Sequence, residues 1–177
     1  MTATQAAPRL QTERLVLRPL AAADAAPMTP LADDPGVSRM TTSIPHPFGR
    51  EMADGFIARM AQANPAHERV LAIEHRDGAF MGVVGFHPNG GLGPELGYWI
   101  GRPFWGAGYM TEAVAAALGW ARGAWGKRVL VSGHFADNPP SGRVLTKTDF
   151  LYTGEIERRF SIARGEKTAT RMMVWLA

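Results

Sequence analysis

Hydrophobic and polar positions change their period several times along the chain, and each change marks a predicted element. Apolar residues alternate or run together over 69–75, 80–87 and 95–100, which predicts three strands. The first two are separated by residues 76–78, Arg-Asp-Gly, and Asp-Gly is typical of a hairpin turn. The middle of the chain is therefore predicted to form an antiparallel half-sheet.

A helical period of three to four residues dominates other segments. It is clearest over 109–122 and recurs over 50–63, where apolar side chains fall on one face. Further helices are predicted at 21–31 and 138–146, and further strands at 14–18, 128–132, 151–162 and 170–176. This order predicts an α+β fold in one domain over 12–177, preceded by a flexible tail over 1–11.

Composition and charge narrow the class of protein. The chain has 177 residues, of which 46% are hydrophobic and 20% charged, as in ordinary globular proteins. A formal net charge of +3 is too small to indicate nucleic-acid binding. The absence of cysteine excludes disulfides, zinc–thiolate sites and a thiol nucleophile, and no metal site is expected. No apolar run approaches the roughly 20 residues of a membrane helix, and no hydrophobic signal region stands at the start, so a cytoplasmic protein is expected.

A glycine turn carries the most specific chemical information. Residues 101–109, Gly-Arg-Pro-Phe-Trp-Gly-Ala-Gly-Tyr, join the predicted strand 95–100 to the predicted helix 109–122. The first N–H groups of a helix have no intrahelical partner, and the helix dipole adds positive charge there. Glycines allow a ligand to approach this backbone closely, so the turn is typical of a phosphate or pyrophosphate site.

Two common phosphate motifs fit this turn poorly. A P-loop requires a lysine directly after its last glycine, and none follows here. A dinucleotide fingerprint requires a third glycine where Thr111 stands, and it opens a parallel βαβ unit rather than following hairpins.

A third motif fits better, because the sequence resembles the GNAT N-acetyltransferases and, among them, the RimJ/RimL-like branch (ribosomal-protein N-terminal acetyltransferases). The resemblance rests on residues 95–101, 105–113 and 138–143 and on the opening segment 12–19. It implies a GNAT fold, with a mixed, mostly antiparallel sheet, a splayed central strand pair and flanking helices. The implied activity is direct transfer of acetyl from acetyl-CoA to a primary amine. A protein N-terminal α-amine is the favoured acceptor, with a small-molecule amine or amino acid left open.

The resemblance also implies a coenzyme A site. The turn and the following helix would hold the pyrophosphate, and the pantetheine arm would pair with strand backbone near Trp99 and Ile100. Two positions depart from the family pattern, since Pro103 replaces a common Gln or Arg and Asp149 replaces a common glycine. The implied cofactor-binding positions are Trp99, Ile100, Phe104, Trp105, Gly106, Ala107, Gly108, Tyr109, Met110, Asn138 and Ser141.

Three residues are the candidates for catalysis. Glu95 is expected either to accept the proton of the amine, with a pKa raised by partial burial, or to orient the substrate ammonium. The resemblance implies a tyrosine on this helix that protonates the departing thiolate, but none lies between Asn138 and Phe150, so Ser141 or water is expected to do so. Asn138 is expected to cap its helix and to bind pantetheine. His87 and His134 are weaker candidates. The aromatic residues in and after the strand 95–100 are expected to pack rather than to bind an aromatic ligand, namely Tyr98, Trp99, Phe104 and Trp105.

Two other functions stay open at this point. A non-catalytic acyl-CoA-binding module would share the fold and bind the cofactor without turnover. An RNA-associated protein would use the basic residues Arg158 and Arg159 of the final hairpin, although the low net charge argues against it. The alternative for the basic residues of this hairpin is a solvated face, formed by Arg158, Arg159, Arg164, Lys167 and Arg171. The family resemblance also implies a homodimer through the final strands as one oligomeric form.

Overall fold

An eight-stranded mixed sheet forms the frame of the protein in the computed structural model, which describes residues 8–177. The spatial order is β1-β2-β3-β4-β5-β6-β8-β7, and the pair β5–β6 is parallel whereas the others are antiparallel. The strands are β1 Leu10–Gln11, β2 Leu15–Pro19, β3 Arg69–His75, β4 Phe80–His87, β5 Glu95–Ile100, β6 Val129–Phe135, β7 Leu151–Ser161 and β8 Glu166–Leu176.

Five α-helices connect and cover the strands. They are α1 Ala25–Ala32, α2 Pro35–Ser38, α3 Arg50–Gln62, α4 Tyr109–Gly123 and α5 Pro139–Lys147, and short 3-10 turns lie at Ala22–Asp24 and Arg102–Phe104. The helix α4 follows β5 and leads into β6, so it is the crossover that makes this strand pair parallel.

Alternating side chains of the sheet supply two hydrophobic cores. Val84 and Phe86 of β4 face α4 in one cluster, whereas Val83 of β4 faces α1 and α3 in the other. Residues one position apart point to opposite faces of a strand, which explains why nearly every residue of β4 is buried. Residues of β4 can therefore contact a ligand only where one face of the strand borders a cleft.

The predicted fold class is confirmed, and most elements lie within a few residues of the prediction. The strands at 69–75, 80–87 and 95–100 have the predicted bounds, and the last two strands form the predicted final hairpin. β6 extends past the predicted strand 128–132, and β8 starts before the predicted strand 170–176.

Two predictions about local structure need correction. The predicted flexible tail over 1–11 extends too far, because Leu10–Gln11 form a strand that pairs with β2. Residues 1–7 lie outside the described part of the chain. The helix α2 was not predicted, because its four residues are too few to show a period. It starts where the carboxylate of Asp34 accepts a hydrogen bond from the N–H of Gly36 (2.7 Å) and Pro35 takes the first helical position.

A buried ion-pair network ties the start of α1 to the sheet. Arg18 on β2 bonds the carboxylate of Asp24 through two nitrogens, at 2.9 and 2.7 Å, and the carboxylate of Glu74 at 2.7 Å. Burial acts to raise the pKa of Asp24, but hydrogen bonds from Arg18 and from the N–H of Ala21 outweigh it and hold this pKa below its ordinary value. The ionised carboxylate is thus the form that the fold requires.

Asp24→Asn is expected to lower the free energy of unfolding at pH 7 by about 3 kcal/mol. This value is near the lower end for breaking a buried ion pair, because Arg18 still has Glu74 as an ion-pair partner in the variant. A carboxylate whose pKa is lowered in the folded state stabilises the fold above about pH 4, the ordinary pKa of aspartate, and this stabilisation is lost as the pH falls further. The difference in Tm between wild type and Asp24→Asn should therefore become smaller below about pH 4. Asp54→Asn, which breaks the exposed Arg50–Asp54 pair, is the matched control, with an expected change within about 0.5 kcal/mol; an equal loss in both variants would contradict the prediction.

Candidate active site

The sheet splits where β5 and β6 diverge. The two strands share one paired position, Glu95 with Val131, and the N–H of Val131 donates to the carbonyl of Pro94 at 3.0 Å. One residue further along β5, the hydroxyl of Ser132 donates to the carbonyl of Leu96 at 2.8 Å and closes the narrow end of the gap. Beyond this point each strand presents free backbone edge to the gap, which can pair with an extended, amide-bearing ligand.

The direction of the β5 backbone decides which groups face the gap. The N–H of Gly101, directly after β5, donates to the carbonyl of Met81 on β4, and backbone groups alternate in direction along a strand. The backbone of Trp99 therefore points to β4, whereas that of Tyr98 and Ile100 points to the gap. The expectation that a ligand pairs with the backbone of Trp99 is corrected on this geometry, and the carbonyl of Ile100 already accepts from the indole N–H of Trp105 at 2.8 Å.

A continuous cleft of about 940 Å³ runs from this gap across the face of the sheet. Its gap end is lined by Tyr98, His134 and Ser141, and its far end by residues of α1, α3 and the segment 40–48. Apolar side chains line much of the far end and the rim, namely Met28, Phe48, Met52, Phe56, Val83, Trp99, Phe160 and Ile162.

The floor of the cleft between the two ends is bare backbone. Gly85 on β4 pairs with Gly97 on β5, and this glycine pair is flanked by the pair Val83–Trp99 on one side and His87–Glu95 on the other. A Cβ on Gly85 would lie 2.7 Å from Val70, so this position excludes larger residues. A small group can thus reach the sheet backbone directly beside His87 and Glu95.

The glycine turn has the geometry of an anion site. Gly106 and Gly108 have φ values of +77° and +81°, a left-handed conformation that favours glycine, and α4 starts directly after Gly108. Residues 105–108 are exposed, so the free N–H groups at the start of α4 open to solvent. A Cβ on Gly106 would meet no atom within 4 Å, which leaves space above the turn.

An arginine that the sequence did not single out holds this turn. Arg14 donates to the carbonyl of Ala107 (2.9 Å) and to the carboxylate of Glu112 (2.7 Å), and its guanidinium lies 4.4 Å from the ring centre of Tyr109. Glu112 also accepts from the hydroxyl of Thr12 at 2.6 Å. Burial acts to raise the pKa of Glu112, but the bonds from Thr12 and Arg14 outweigh it and keep this pKa low.

The other predicted cofactor positions divide by exposure. Trp105 is exposed and Phe104 and Tyr109 are half-buried, whereas Met110 is buried in the core and offers a ligand only its backbone. Arg102, the nearest cation in sequence, bonds the carboxylate of Asp34 through two nitrogens, at 2.7 and 2.8 Å. Its hydrogen bonds lower the pKa of Asp34, so Arg102 is paired with a carboxylate, while its guanidinium lies 5.3 Å from the ring centre of Trp105.

The structure brings Ser141 against a tyrosine from another element. Tyr98 crosses from β5 to the start of α5, where its hydroxyl lies 2.9 Å from the hydroxyl and 3.0 Å from the carbonyl of Ser141. Burial of this hydroxyl raises the pKa of Tyr98, so the phenol keeps its proton at neutral pH. Asn138 caps α5 as predicted, accepting from the N–H of Ser141 at 3.4 Å. Tyr98 was expected only to pack, because nothing in the sequence links two residues 43 positions apart.

Glu95 lies in the cleft with two polar partners. One carboxylate oxygen is bonded by Arg159 of β7, and the other lies 3.4 Å from the side-chain amide of Asn89. The prediction that Glu95 accepts the proton of the amine stays a prediction, and its paired state equally suits orientation of a substrate ammonium.

Two basic residues of the final hairpin, Arg159 and Arg164, bond other parts of the protein instead of forming a solvated face, whereas Arg158, Lys167 and Arg171 are exposed as expected. Arg159 bonds Glu95 and Glu157, and the half-buried Arg164 bonds Asp137 (2.8 Å) and the carbonyl of Arg39 (2.6 Å). Two more bonds join the hairpin to the segment 40–48: Ser161 hydroxyl to the carbonyl of Thr41 (2.9 Å), and Ile162 N–H to that of Thr42 (3.1 Å).

His134 occupies the β6 side of the gap. Its Nδ1 lies 2.8 Å from the carbonyl of Phe135 and therefore donates, which leaves Nε2 to accept from the hydroxyl of Tyr152 at 2.9 Å. Both ring nitrogens are thus occupied. Gly142 makes room for the pair, since a Cβ there would lie 2.7 Å from Nε2 of His134.

Within 8–177, no three histidine, aspartate or glutamate side chains cluster closely enough to hold a metal ion. Among the helices of this same range, none combines the length and apolar character needed to cross a membrane.

Comparisons with known structures agree on the fold. RimJ from Mycobacterium smegmatis, in complex with CoA-disulfide, superposes with a TM-score of 0.81 at 20% identity, covering 96% of this chain and 86% of that one. Ribosomal-protein-S5-alanine acetyltransferase from Vibrio fischeri gives 0.80 at 14% identity, covering 96% of both chains. Spermidine N-acetyltransferase from Vibrio cholerae, in complex with CoA and spermine, gives 0.77 at 17% identity, covering 93% and 96%. No curated protein matches the chain in sequence.

One family of sequences matches the chain, and it is consistent with the splayed strands, the glycine turn and these structural neighbours. The acetyltransferase (GNAT) domain matches residues 14–151, from β2 to the first residue of β7. This match covers most of the chain and includes both strands of the gap. The protein therefore belongs to the GNAT acetyltransferase family.

Proposed function

We propose that this acetyltransferase uses acetyl-CoA to acetylate a primary amine, with the α-amine at the N-terminus of a polypeptide as the favoured acceptor. The observation that carries the proposal is the continuous cleft, which joins the β5–β6 gap to an apolar region on the sheet face. An acetyl donor in the gap and an amine on the sheet face would meet above the glycine pair Gly85–Gly97.

The residues around the gap fit coenzyme A. Backbone groups of Tyr98 and Ile100 face the gap and would pair with the amides of pantetheine. The left-handed glycines Gly106 and Gly108 leave the first N–H groups of α4 free for the pyrophosphate, and Arg14 holds them in place. The structural neighbours bound to CoA support this assignment.

Charges in the cleft favour an acceptor with a single amine. Among the described residues that line it, Glu95 is the one carboxylate and is already paired with Arg159, while Arg59 adds a second cation. A polyamine, which carries several positive charges, would lack carboxylate partners there. An α-amine has an ordinary pKa of about 8 and is partly neutral at pH 7, and an apolar first side chain would pack against the walls.

Thermal unfolding with excess acetyl-CoA tests the cofactor. At 100 times the Kd, binding should add about 2.7 kcal/mol and raise the Tm by about 5–10 °C, whereas NAD and ATP should leave it unchanged. A rise with all three ligands, or with none, would contradict the assignment.

Thiol release from acetyl-CoA tests the acceptor. Short peptides with a free α-amine and an apolar first residue should support turnover, and the same peptides with an acetylated N-terminus should not. Spermidine is the matched polyamine probe. Turnover with spermidine and not with peptides would overturn the acceptor proposal and leave the acetyltransferase assignment standing, whereas cofactor binding without any turnover would favour a binding module.

A further inference from the structure

We infer that His87, oriented by Glu68, is the catalytic base that takes the proton from the acceptor amine. This inference deepens the proposed acetyl transfer and rests on it. It assigns the proton to a histidine on β4 rather than to Glu95, the carboxylate directly across from it on β5.

The contact between His87 and Glu68 fixes the protonation of the imidazole. Nδ1 of His87 lies 2.8 Å from a carboxylate oxygen of Glu68. An ionised carboxylate can only accept a hydrogen bond, so Nδ1 carries the hydrogen. In the neutral ring, Nε2 then has a free lone pair, which is the state that a proton acceptor needs.

The fold brings these two residues together at one end of the hairpin β3–β4. Glu68 directly precedes β3 and His87 ends β4, and the register pairs Arg69 with Phe86. The carboxylate of Glu68 is only 20% exposed, so it is a firm partner, whereas the imidazole is 40% exposed and reaches the cleft.

The free nitrogen lies over the bare floor of the cleft. A Cβ on Gly97 would be 3.5 Å from Cδ2 and 3.6 Å from Nε2 of His87. Gly97 stands one residue past Leu96, where Ser132 closes the gap, so this edge of the ring faces the point at which donor and acceptor meet. Because Gly97 has no side chain, an amine can occupy the space beside Nε2.

The charged groups around the imidazole distinguish it from Glu95. Glu68 faces it from the segment before β3 and Glu95 from β5, while Arg159 of β7 pairs with Glu95 and Arg59 of α3 lines the same cleft. Both oxygens of Glu95 have partners, whereas among the described residues no hydrogen-bond partner lies at Nε2 of His87.

The proton balance of the reaction is complete with these groups. His87 Nε2 takes one proton from the acceptor ammonium, and the neutral amine nitrogen attacks the thioester carbonyl carbon. The C–N bond forms and the C–S bond breaks, so the sulfur leaves with the electron pair and receives a proton from the Ser141 side of the gap. The amide nitrogen loses its remaining extra proton to water, His87 returns its own to solvent, and Ser141 regains a proton from solvent, so one proton is released for each acetyl group transferred.

The test compares His87→Gln, Glu68→Ala and Glu95→Gln in steady-state kinetics over pH 5.5–9, with acetyl-CoA and a free α-amine peptide. His87→Gln should lower kcat by at least about 100-fold and remove the fall of kcat/KM at low pH, which is the acidic limb of its pH profile. Glu68→Ala should lower kcat less and shift this acidic limb along the pH axis, with the KM for acetyl-CoA unchanged. His67→Gln, at an exposed neighbouring histidine, is the matched control and should behave as wild type. An acidic limb that persists in His87→Gln and disappears in Glu95→Gln would overturn the inference.

A second measurement separates this inference from the acceptor proposal, because it needs no acceptor. Nitrogen-detected NMR of the histidine rings should show His87 protonated on Nδ1 in the wild type, and a redistribution toward Nε2 in Glu68→Ala. Absence of thiol release with every amine would be a failure of the proposed function alone. A wild-type ring protonated on Nε2 would overturn the role of His87 whatever the acceptor proves to be.

Discussion

Gly106→Val is expected to raise the Kd for acetyl-CoA by at least about 100-fold, or about 2.8 kcal/mol. The φ of +77° at Gly106 is strained for a branched residue, so the variant would either turn the N–H groups away from the pyrophosphate or place the side chain in its path. In the free protein a Cβ at this position meets nothing within 4 Å, so the fold bears only the backbone strain. The affinity is measured by calorimetric titration with acetyl-CoA.

Gly126→Val is the matched control for this strain. Gly126 lies between α4 and β6 with a φ of +68°, and its Cβ would likewise meet nothing within 4 Å. Both variants should therefore lose similar stability, of order 1–3 kcal/mol, and only the variant at Gly106 should lose the cofactor. A valine at Gly108 would be a less discriminating test, since its Cβ would also lie 3.6 Å from the guanidinium of Arg14. Unchanged affinity in Gly106→Val would remove the glycine turn from the cofactor site.

Ser141→Ala is expected to lower kcat by about 100-fold, with a much smaller change in the KM for acetyl-CoA. In the proposed reaction the Ser141 hydroxyl gives its proton to the departing sulfur and regains one from solvent through Tyr98, whose hydroxyl lies 2.9 Å away. The raised pKa of Tyr98 keeps that proton available throughout the neutral range. Tyr98→Phe should cost less, about tenfold, because water can replace the second donor but not the first.

Steady-state kinetics at saturating acetyl-CoA check this prediction, with Thr146→Ala as control. Thr146 lies on the same helix and bonds the carbonyl of Gly142 at 3.1 Å, outside the cleft. Equal losses of kcat in Ser141→Ala and Thr146→Ala would show that disturbance of α5, and not loss of a proton donor, explains the effect.

The elements that the sequence predicted well are those whose signal is local. Strands β3, β4 and β5 alternate or run apolar between clear turn residues, and their bounds are as predicted. Asp149, which stands where glycine is common, adopts the left-handed conformation with a φ of +68°, as its position required. The glycine turn was equally readable, because its spacing before a periodic helix is a local pattern.

The side-chain partners of the site have no such signal. Arg14 and Glu112 are 98 residues apart, and Glu68 and His87 are 19 apart, so each pair depends on strand order and register. Arg159 was expected on a solvated face because charge runs usually are solvated. Arg159 lies on β7 at the edge of the sheet and bonds Glu95 of β5 although β6 and β8 lie between these strands in the sheet order, and no local pattern indicates such a contact. The catalytic roles of Glu95, Ser141 and Asn138 stay predictions.

The bonds that join the 160–164 turn to the segment 39–42 have a consequence for changing the acceptor by design or by evolution. They link chain positions more than 100 residues apart, and together the two segments form one rim of the cleft. Transplanting the first segment from a relative with another acceptor would leave Arg164 and Ser161 facing carbonyls in the wrong places. A change of acceptor specificity therefore requires that the segment 39–42 and the turn 160–164 be exchanged together.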